Sequence, residues 1–371
     1  MSDAWRLLDT GTQPAAYNMA LERVILTARS RGLIPNTLHF LEFTPSALVG
    51  YHQSVPLEVE EDYCLHHGIE INRRVSGGGA IYVDEGVLGW ELVACKDTPG
   101  IPGRLDDMYR LLCEGAVAGL ARLGVAARFR PKNDIEVEGR KISGTGGAEA
   151  GNALIYHGTV LNDFDVETMI RCLRLPIAKL DDKQVQSFKE RVVSLREVLG
   201  SLPSMPAIKQ AMAVGFASVL GIRLEAGALT EQEKKLLEQE LPLFQSGDWI
   251  WGTRQLQDSS LSTVDYKTPG GLIRVTLTLD RTRRRIRYAF ITGDFFAYPE
   301  RSILDLEAAL KNASCEPGDL LQTVRGFFNA HQVRIPGITP DDFFYALQTA
   351  VYPTGRGREQ SFKTAESSAG R

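Results

Sequence analysis

The chain has 371 residues, enough for two domains, with 43% hydrophobic and 24% charged residues, the balance of a soluble globular protein. A net charge of −4 gives no global support for a nucleic-acid partner, and no apolar run approaches the ~20 residues of a membrane span. Five cysteines (Cys64, Cys95, Cys113, Cys172, Cys315) are odd in number and include no C-x-x-C pair, which argues against a disulfide frame or zinc site and for a reducing cytoplasm.

In chain order, residues 1–10 carry charge and no apolar core, so no secretory signal is expected. Residues 14–29 predict a helix, with Ala16, Met19, Ala20, Val24 and Ile25 at helical spacing. Residues 37–43 and 47–50 predict strands with a turn at Pro45. In the loop Gly50-Tyr51-His52-Gln53, His52 suits either a ligand hydrogen bond or plain solvation. His66 and His67 have no third ligand at metal spacing and read as helix surface. Residues 69–72 and 81–83 predict strands around Arg74-Val75-Ser76-Gly77-Gly78-Gly79-Ala80. Consecutive glycines permit positive φ and close backbone approach, and successive N–H groups on such a turn form an anion-binding concavity. Arg74 adds a planar cationic fork. An ordinary glycine-rich hairpin fits the same pattern.

Residues 87–94 predict a strand, and 106–123 a helix that carries Cys113 as a small core residue and stops at Gly124. Residues 128–137 predict one strand bearing Asn133 and Asp134. Glu138-Gly139-Arg140 reads as a tight turn, so Lys141 begins the next strand. Ser194 to Glu197 is a capping-box pattern. Residues 227–240 predict a solvated helix, and 242–248 a linker. Trp249-Ile250-Trp251-Gly252 is expected to open a second domain. There, 272–279 and 286–291 predict an antiparallel hairpin, with Ile286, Tyr288 and Phe290 on one face and Arg285 and Arg287 on the other. Gly293-Asp294-Phe295-Phe296 leads to a helix from about residue 299, with Ile303, Leu306 and Leu310 inward. Helices at 318–331 and 340–351 follow, and 354–371 is polar and aperiodic, expected to be disordered. Residues 246–371 hold 16 Lys+Arg against 14 Asp+Glu, a net +2, with a dense run at Arg281, Arg283, Arg284, Arg285 and Arg287.

Four motifs occur in one order: Arg73-Arg74-Val75-Ser76-Gly77-Gly78-Gly79-Ala80, Asn133-Asp134, Lys141-Ile142-Ser143-Gly144 and His157-Gly158-Thr159. Together they resemble the lipoate–protein ligase A family, within the larger group of biotin and lipoyl protein ligases. The resemblance implies an α+β fold, a biotin/lipoyl-ligase-like mixed sheet flanked by helices, with a smaller α+β accessory domain. It divides the chain into a catalytic domain (1–245), an accessory domain (246–353) and the tail. The activity implied is an ATP-dependent ligase that adenylates lipoate (or octanoate) to lipoyl-AMP. It then passes the acyl group to the ε-amine of a lysine on an acceptor protein domain. A cytoplasmic monomer using ATP and Mg²⁺ is expected, with no nucleic-acid or membrane partner.

By the same resemblance, Lys141 is the catalytic cation at the adenylation step, where charge spreads over phosphoryl oxygens. Arg74, Ser76, Gly77, Gly78, Gly79, Ala80, Ile81, Tyr82, Asn133, Asp134, Gly158 and Thr159 would bind ligand, Asp134 also holding Mg²⁺. The chain departs from the family in having Tyr51 where an arginine is common, and Lys132 before Asn133 where arginine is usual. A rival reading is an octanoyltransferase working through a cysteine acyl-enzyme. No cysteine lies at or just before 133–143, where that chemistry would place it. A biotin ligase would carry a Gly-Arg-Gly-Arg loop, absent here. A non-catalytic lipoate or nucleotide carrier would not need both Lys141 and Asp134.

Overall fold

Alternating apolar strands build a mixed eight-stranded sheet in the order β11-β1-β2-β6-β10-β9-β8-β7. Its strands are β1 (Trp5–Gln13), β2 (Thr37–Phe43), β6 (Val87–Cys95), β7 (Arg128–Arg130), β8 (Asp134–Val137), β9 (Arg140–Ala150), β10 (Ala153–Leu161) and β11 (Leu224–Ala226). The computed structural model describes residues 4–130, 134–174, 189–252 and 262–353. The side-chain period of two sends Leu38, Phe40, Trp90, Leu92 and Tyr156 to one face, under helices α4 (Leu105–Arg122) and α7 (Met205–Leu220). Leu41, Val93 and Ile155 go to the other face, under α1 (Ala15–Ser30) and α8 (Glu231–Phe244). A small sheet, β4-β3-β5, is formed by β3 (Ser46–Val49), β4 (Glu70–Arg73) and β5 (Ile81–Val83). Short helices α2 (Val55–Glu58), α3 (Glu61–His66), α5 (Val166–Cys172) and α6 (Leu195–Leu199) complete this half.

Most predicted elements fall within a few residues of the observed ones; four differences are informative. First, 128–137 is not one strand. β7 and β8 pair antiparallel, Arg130 opposite Asp134, so the chain reverses between them. Asn133 lies outside the described residues. Second, the turn before Lys141 is two residues, Glu138 (φ 51°) and Gly139 (φ 81°), both in the left-handed region that a tight hairpin requires.

Third, the expected linker at 242–248 is helical. α8 starts at a Thr230–Glu233 capping box and runs through Pro242 to the buried Phe244; α9 (Gly247–Ile250) follows under a Ser246 cap. Trp249 donates its indole N–H to Arg73 O (3.1 Å), and Ile250 packs with Ala47, Val55 and Ile69. The Trp-Ile-Trp segment therefore closes the first domain rather than opening the second. Fourth, a β-bulge breaks the alternation of the arginine-rich strand: Thr278 pairs Tyr288, but Leu279 pairs Ile286. Ile286 is buried while Tyr288 is 53% exposed, so they do not share a face.

The second domain is the sheet β12-β13-β14 (Ser262–Thr268, Gly271–Asp280, Arg285–Gly293) covered by α10 (Ser302–Leu310), α11 (Pro317–Ala330) and α12 (Pro340–Val351). Its core holds Ile273, Val275, Leu277 and Ile303, Leu306, Leu310 as expected. Residues 354–371 lie outside the described residues. Among the described residues, no helix is long and apolar enough to cross a membrane.

Candidate active site

The glycine loop joins β4 to β5. Arg74 is 7% exposed, and its guanidinium donates to Leu48 O (3.0 Å), Gly77 O (3.1 Å) and Gly79 O (2.8 Å). Burial lowers its pKa to about 10, with Glu22 opposing. The fork expected to face a ligand thus holds the loop in shape. The close approach permitted by the glycines is also taken by protein. A Cβ on Gly77 would stand 2.2 Å from Phe295 O, and Gly78 N–H donates to that same oxygen (3.2 Å). The Gly293-Asp294-Phe295-Phe296 segment of the second domain therefore seats on the loop. His52 joins this contact, its ring stacked on Phe295 with centroids 5.4 Å apart. Tyr298 donates to Gly147 O (3.0 Å) and pairs with the Tyr109 hydroxyl at 2.5 Å.

Lys141 sits where the turn geometry puts it, at the start of β9. Its ammonium is 2.8 Å from Asp134 Oδ1 on the paired strand, an oxygen with no other partner among the described residues. Gly144 makes room for this side chain: a Cβ there would meet Lys141 Nζ at 2.8 Å. A cavity of about 320 Å³ brings together Lys141, Arg74, Gly77, Gly78, Gly79, Ala80, Ile81, Tyr82, Gly158 and Thr159. Of the remaining expected residues, Asp134 reaches the site through Lys141, and Ser76 lies beneath it, 1% exposed. The walls are mostly apolar, with Met19, Leu48, Val83, Val87 and Trp90, and Phe296 from the second domain. A second, polar cavity borders the first at Leu161, Phe164 and Val192, beside Arg140 and Lys189.

Three cavity residues were not among the expected site residues: Glu22, Glu91 and His157, the last of which opens the His157-Gly158-Thr159 motif. Strand alternation puts Glu91 and His157 on the α1 face of the sheet, where Glu22 points down from α1. Their ligating atoms lie within 4.8 Å of one another. His157 Nδ1 is 2.7 Å from Glu22 Oε1, and Nε2 is 2.9 Å from Ser76 Oγ. Glu91 Oε2 meets His39 Nδ1 (2.9 Å), and His39 Nε2 meets Thr10 Oγ1 (2.8 Å). A carboxylate in the middle of the apolar run Val87–Cys95 was the available sequence signal.

The lipoyl protein ligase A/B catalytic domain matches residues 14–217, more than half the chain. The chain belongs to this family. Among its relatives, the octanoyltransferase LipM of Kyrpidia tusciae is 34% identical over 268 residues, 66% of this chain and 97% of the relative. The bipartite lipoate protein ligase of Thermoplasma acidophilum superposes with a TM-score of 0.63 at 28% identity, over 68% of this chain and 98% of that one. A lipoate-protein ligase A bound with ATP gives 0.61 at 26% identity, over 68% and 100%. Plasmodium falciparum LipL1 shares the fold over 94% of this chain and 99% of its own, TM-score 0.72 at 16% identity, so the fold likeness extends through the second domain. The expected architecture, a ligase-like mixed sheet flanked by helices with a C-terminal sheet-and-helix region, is that of the family.

In the second domain, half-buried Glu300 leaves Oε1 without a hydrogen-bond partner among the described residues. Burial pushes its carboxyl up to about 7, with Arg23 opposing and Glu22 adding. Between about pH 4.5 and 7 the folded protein keeps a proton that the unfolded chain releases. This contribution to stability is full below about 4.5 and lost as pH rises through 7. Glu300→Gln should therefore stabilise the protein at pH 8, by on the order of 2–3 kcal/mol, and change little at pH 4.5. Thermal unfolding at the two pH values checks the difference.

Proposed function

We propose that this protein is an ATP-dependent ligase that activates lipoate, or octanoate, as its adenylate and transfers the acyl group to a lysine ε-amine on an acceptor domain. One observation carries this reading: Lys141 lies in the apolar cavity and none of the five cysteines does. Cys64 and Cys172 are buried under the small sheet, and Cys315 in the second-domain core. Cys113 sits behind Thr145, its Sγ 3.2 Å from Tyr156 O–H, and burial raises its pKa to about 11. Cys95 ends β6 outside the cavity. A thioester intermediate needs an activated thiol at the acyl group, and the cavity offers an ammonium instead.

In this reading the acyl carboxylate attacks the α-phosphorus of ATP, and the bond to the pyrophosphate leaving group breaks. Lys141 stabilises charge on the phosphoryl oxygens and holds the carboxylate in line. The polar cavity beside Lys141 leaves room for a second substrate. Asp134 fits a role in holding Mg²⁺. Among the described residues its Oδ1 has only the ammonium as partner, and one carboxylate with phosphate oxygens is a common Mg²⁺ shell. When bound, the ion would neutralise phosphate charge. The lysine amine then attacks the mixed anhydride, releasing AMP.

The relatives named octanoyltransferase favour a second reading, acyl transfer from a thioester donor without ATP. Two assays separate them: pyrophosphate exchange with ATP and lipoate, and transfer from an octanoyl-thioester carrier with all five cysteines replaced by serine or alanine. Exchange with retained activity in the cysteine-free protein supports the ligase. Thioester transfer lost with one cysteine, and no exchange, removes it.

For the acceptor, the exposed arginines at the β13–β14 tip offer a cationic surface. Arg284 is tied to Glu316 (2.6 Å) and Arg285 to Asn312 O (2.6 Å), leaving Arg281, Arg283 and Arg287 as the more accessible charges. Replacing Arg283, Arg284 and Arg285 with serine should slow modification of an acidic acceptor at low salt and flatten its salt dependence, without changing adenylation. An unchanged salt profile would make the tip a solvated turn.

A further inference from the structure

The cavity has two chemically different ends. His39, Glu91, His157 and Gly146 stand in one row across β2, β6, β10 and β9. Lys141 is five residues before Gly146 on β9, about 16 Å at ~3.3 Å per residue. On the reading of this cavity as an acyl site, a carboxyl held at Lys141 sends its tail along the apolar walls toward that row. The walls suit any medium-length chain; the end does not. Glu22 and Glu91 are 0% and 2% exposed there. Among the described residues, and apart from His157 at 2.7 Å, neither oxygen of Glu22 has a hydrogen-bond partner. A methyl group against these oxygens would keep them from water and give nothing in return.

We propose that this end wall selects acyl chains with hydrogen-bonding sulfur at the far end, the lipoyl group, over methyl-ended octanoyl, with Glu91 as the specificity-determining residue. Glu91 is the fixed member of the wall. Its Oε2 is held by His39, which is held in turn by Thr10, so the carboxyl cannot swing away from the tail. Burial pushes Glu91 well up and His39 down to about 3, which favours the neutral form of each. A dithiol end offers S–H donors to the carboxyl oxygens of Glu91 and Glu22, which a methyl end cannot.

The test is equilibrium binding of octanoate, lipoate and dihydrolipoate to the full chain by titration calorimetry, with Glu91→Met and Glu91→Gln. One hydrogen bond's worth of preference is roughly tenfold. The wild type should bind at least one lipoate form about tenfold more tightly than octanoate. Glu91→Met, close to glutamate in volume, should bring the ratio near one by improving octanoate. Glu91→Gln, which still reaches His39, should keep most of the preference. Equal affinities in the wild type, or an unchanged ratio in folded Glu91→Met, overturns the proposal. The wild-type ratio decides the matter if the methionine variant does not fold. Binding needs no ATP, so preferential lipoate binding without pyrophosphate exchange would sink the ligase reading and leave this one standing. No binding of any of the three acids would remove both.

Discussion

Lys141→Ala is expected to keep its fold and to lose acyl-adenylate formation by roughly 10²–10³ in rate, the usual cost of deleting one electrostatic donor at a developing charge. The fold should survive because the side chain is 42% exposed, and its ion pair with Asp134, itself 24% exposed, is solvent-screened. Gly144→Val makes a useful companion. It leaves the ammonium in the chain but occupies the place where Nζ and Cε now lie, 2.8 and 2.9 Å from the added Cβ. Both variants should fail in pyrophosphate exchange while unfolding near the wild-type temperature. Near-normal exchange by Lys141→Ala would remove the lysine from the chemistry.

The second large effect concerns stability. Gly77→Val should destabilise the protein by about 1–3 kcal/mol or more, because the new Cβ meets backbone on the other domain: Phe295 O at 2.2 Å and Phe296 Cα at 3.0 Å. Backbone cannot change rotamer, so one side must retreat. Arg74 ties the Gly77 carbonyl in place, so the second domain would give way. Gly79→Ala is the control, since its Cβ would find only Asp294 Cβ at an ordinary 3.7 Å. Thermal unfolding of the two should differ by several degrees. Equal stability would mean that the domains do not rest on the loop as described.

Much of this was legible in the sequence. The strands around the glycine loop and the helices of the second domain follow from periodicity. The Glu138-Gly139 turn alone was enough to place Lys141 at a strand start. What escaped has a common cause, that the relevant partner is far along the chain. Glu22, Glu91 and His157 come from a helix and two strands, and only the fold brings them to one place. Since Val87–Cys95 is covered on both faces, its pattern does not alternate, and the one local sign of Glu91's role is a carboxylate inside an apolar run. Arg74 and Gly77 carry the right chemistry for an anion, but only the fold shows Leu48, Gly79 and Phe295 taking up those groups. Pro242 reads as punctuation, whereas the buried Phe244 and the partly buried Trp249 hold the segment to the first domain. The bulge at Arg287 reversed a strand phase that two-residue counting would have continued.

Phe296 belongs to the wall of the cavity but lies beyond residues 253–261, on the far side of the domain boundary. The cavity is therefore finished only while the two halves touch, and the peptide link keeps that event unimolecular. Cut the chain between the halves, and the same ring becomes a ligand supplied from solution. Catalysis by the nicked protein would then fade on dilution and return on concentration, whereas the intact chain would be indifferent to both.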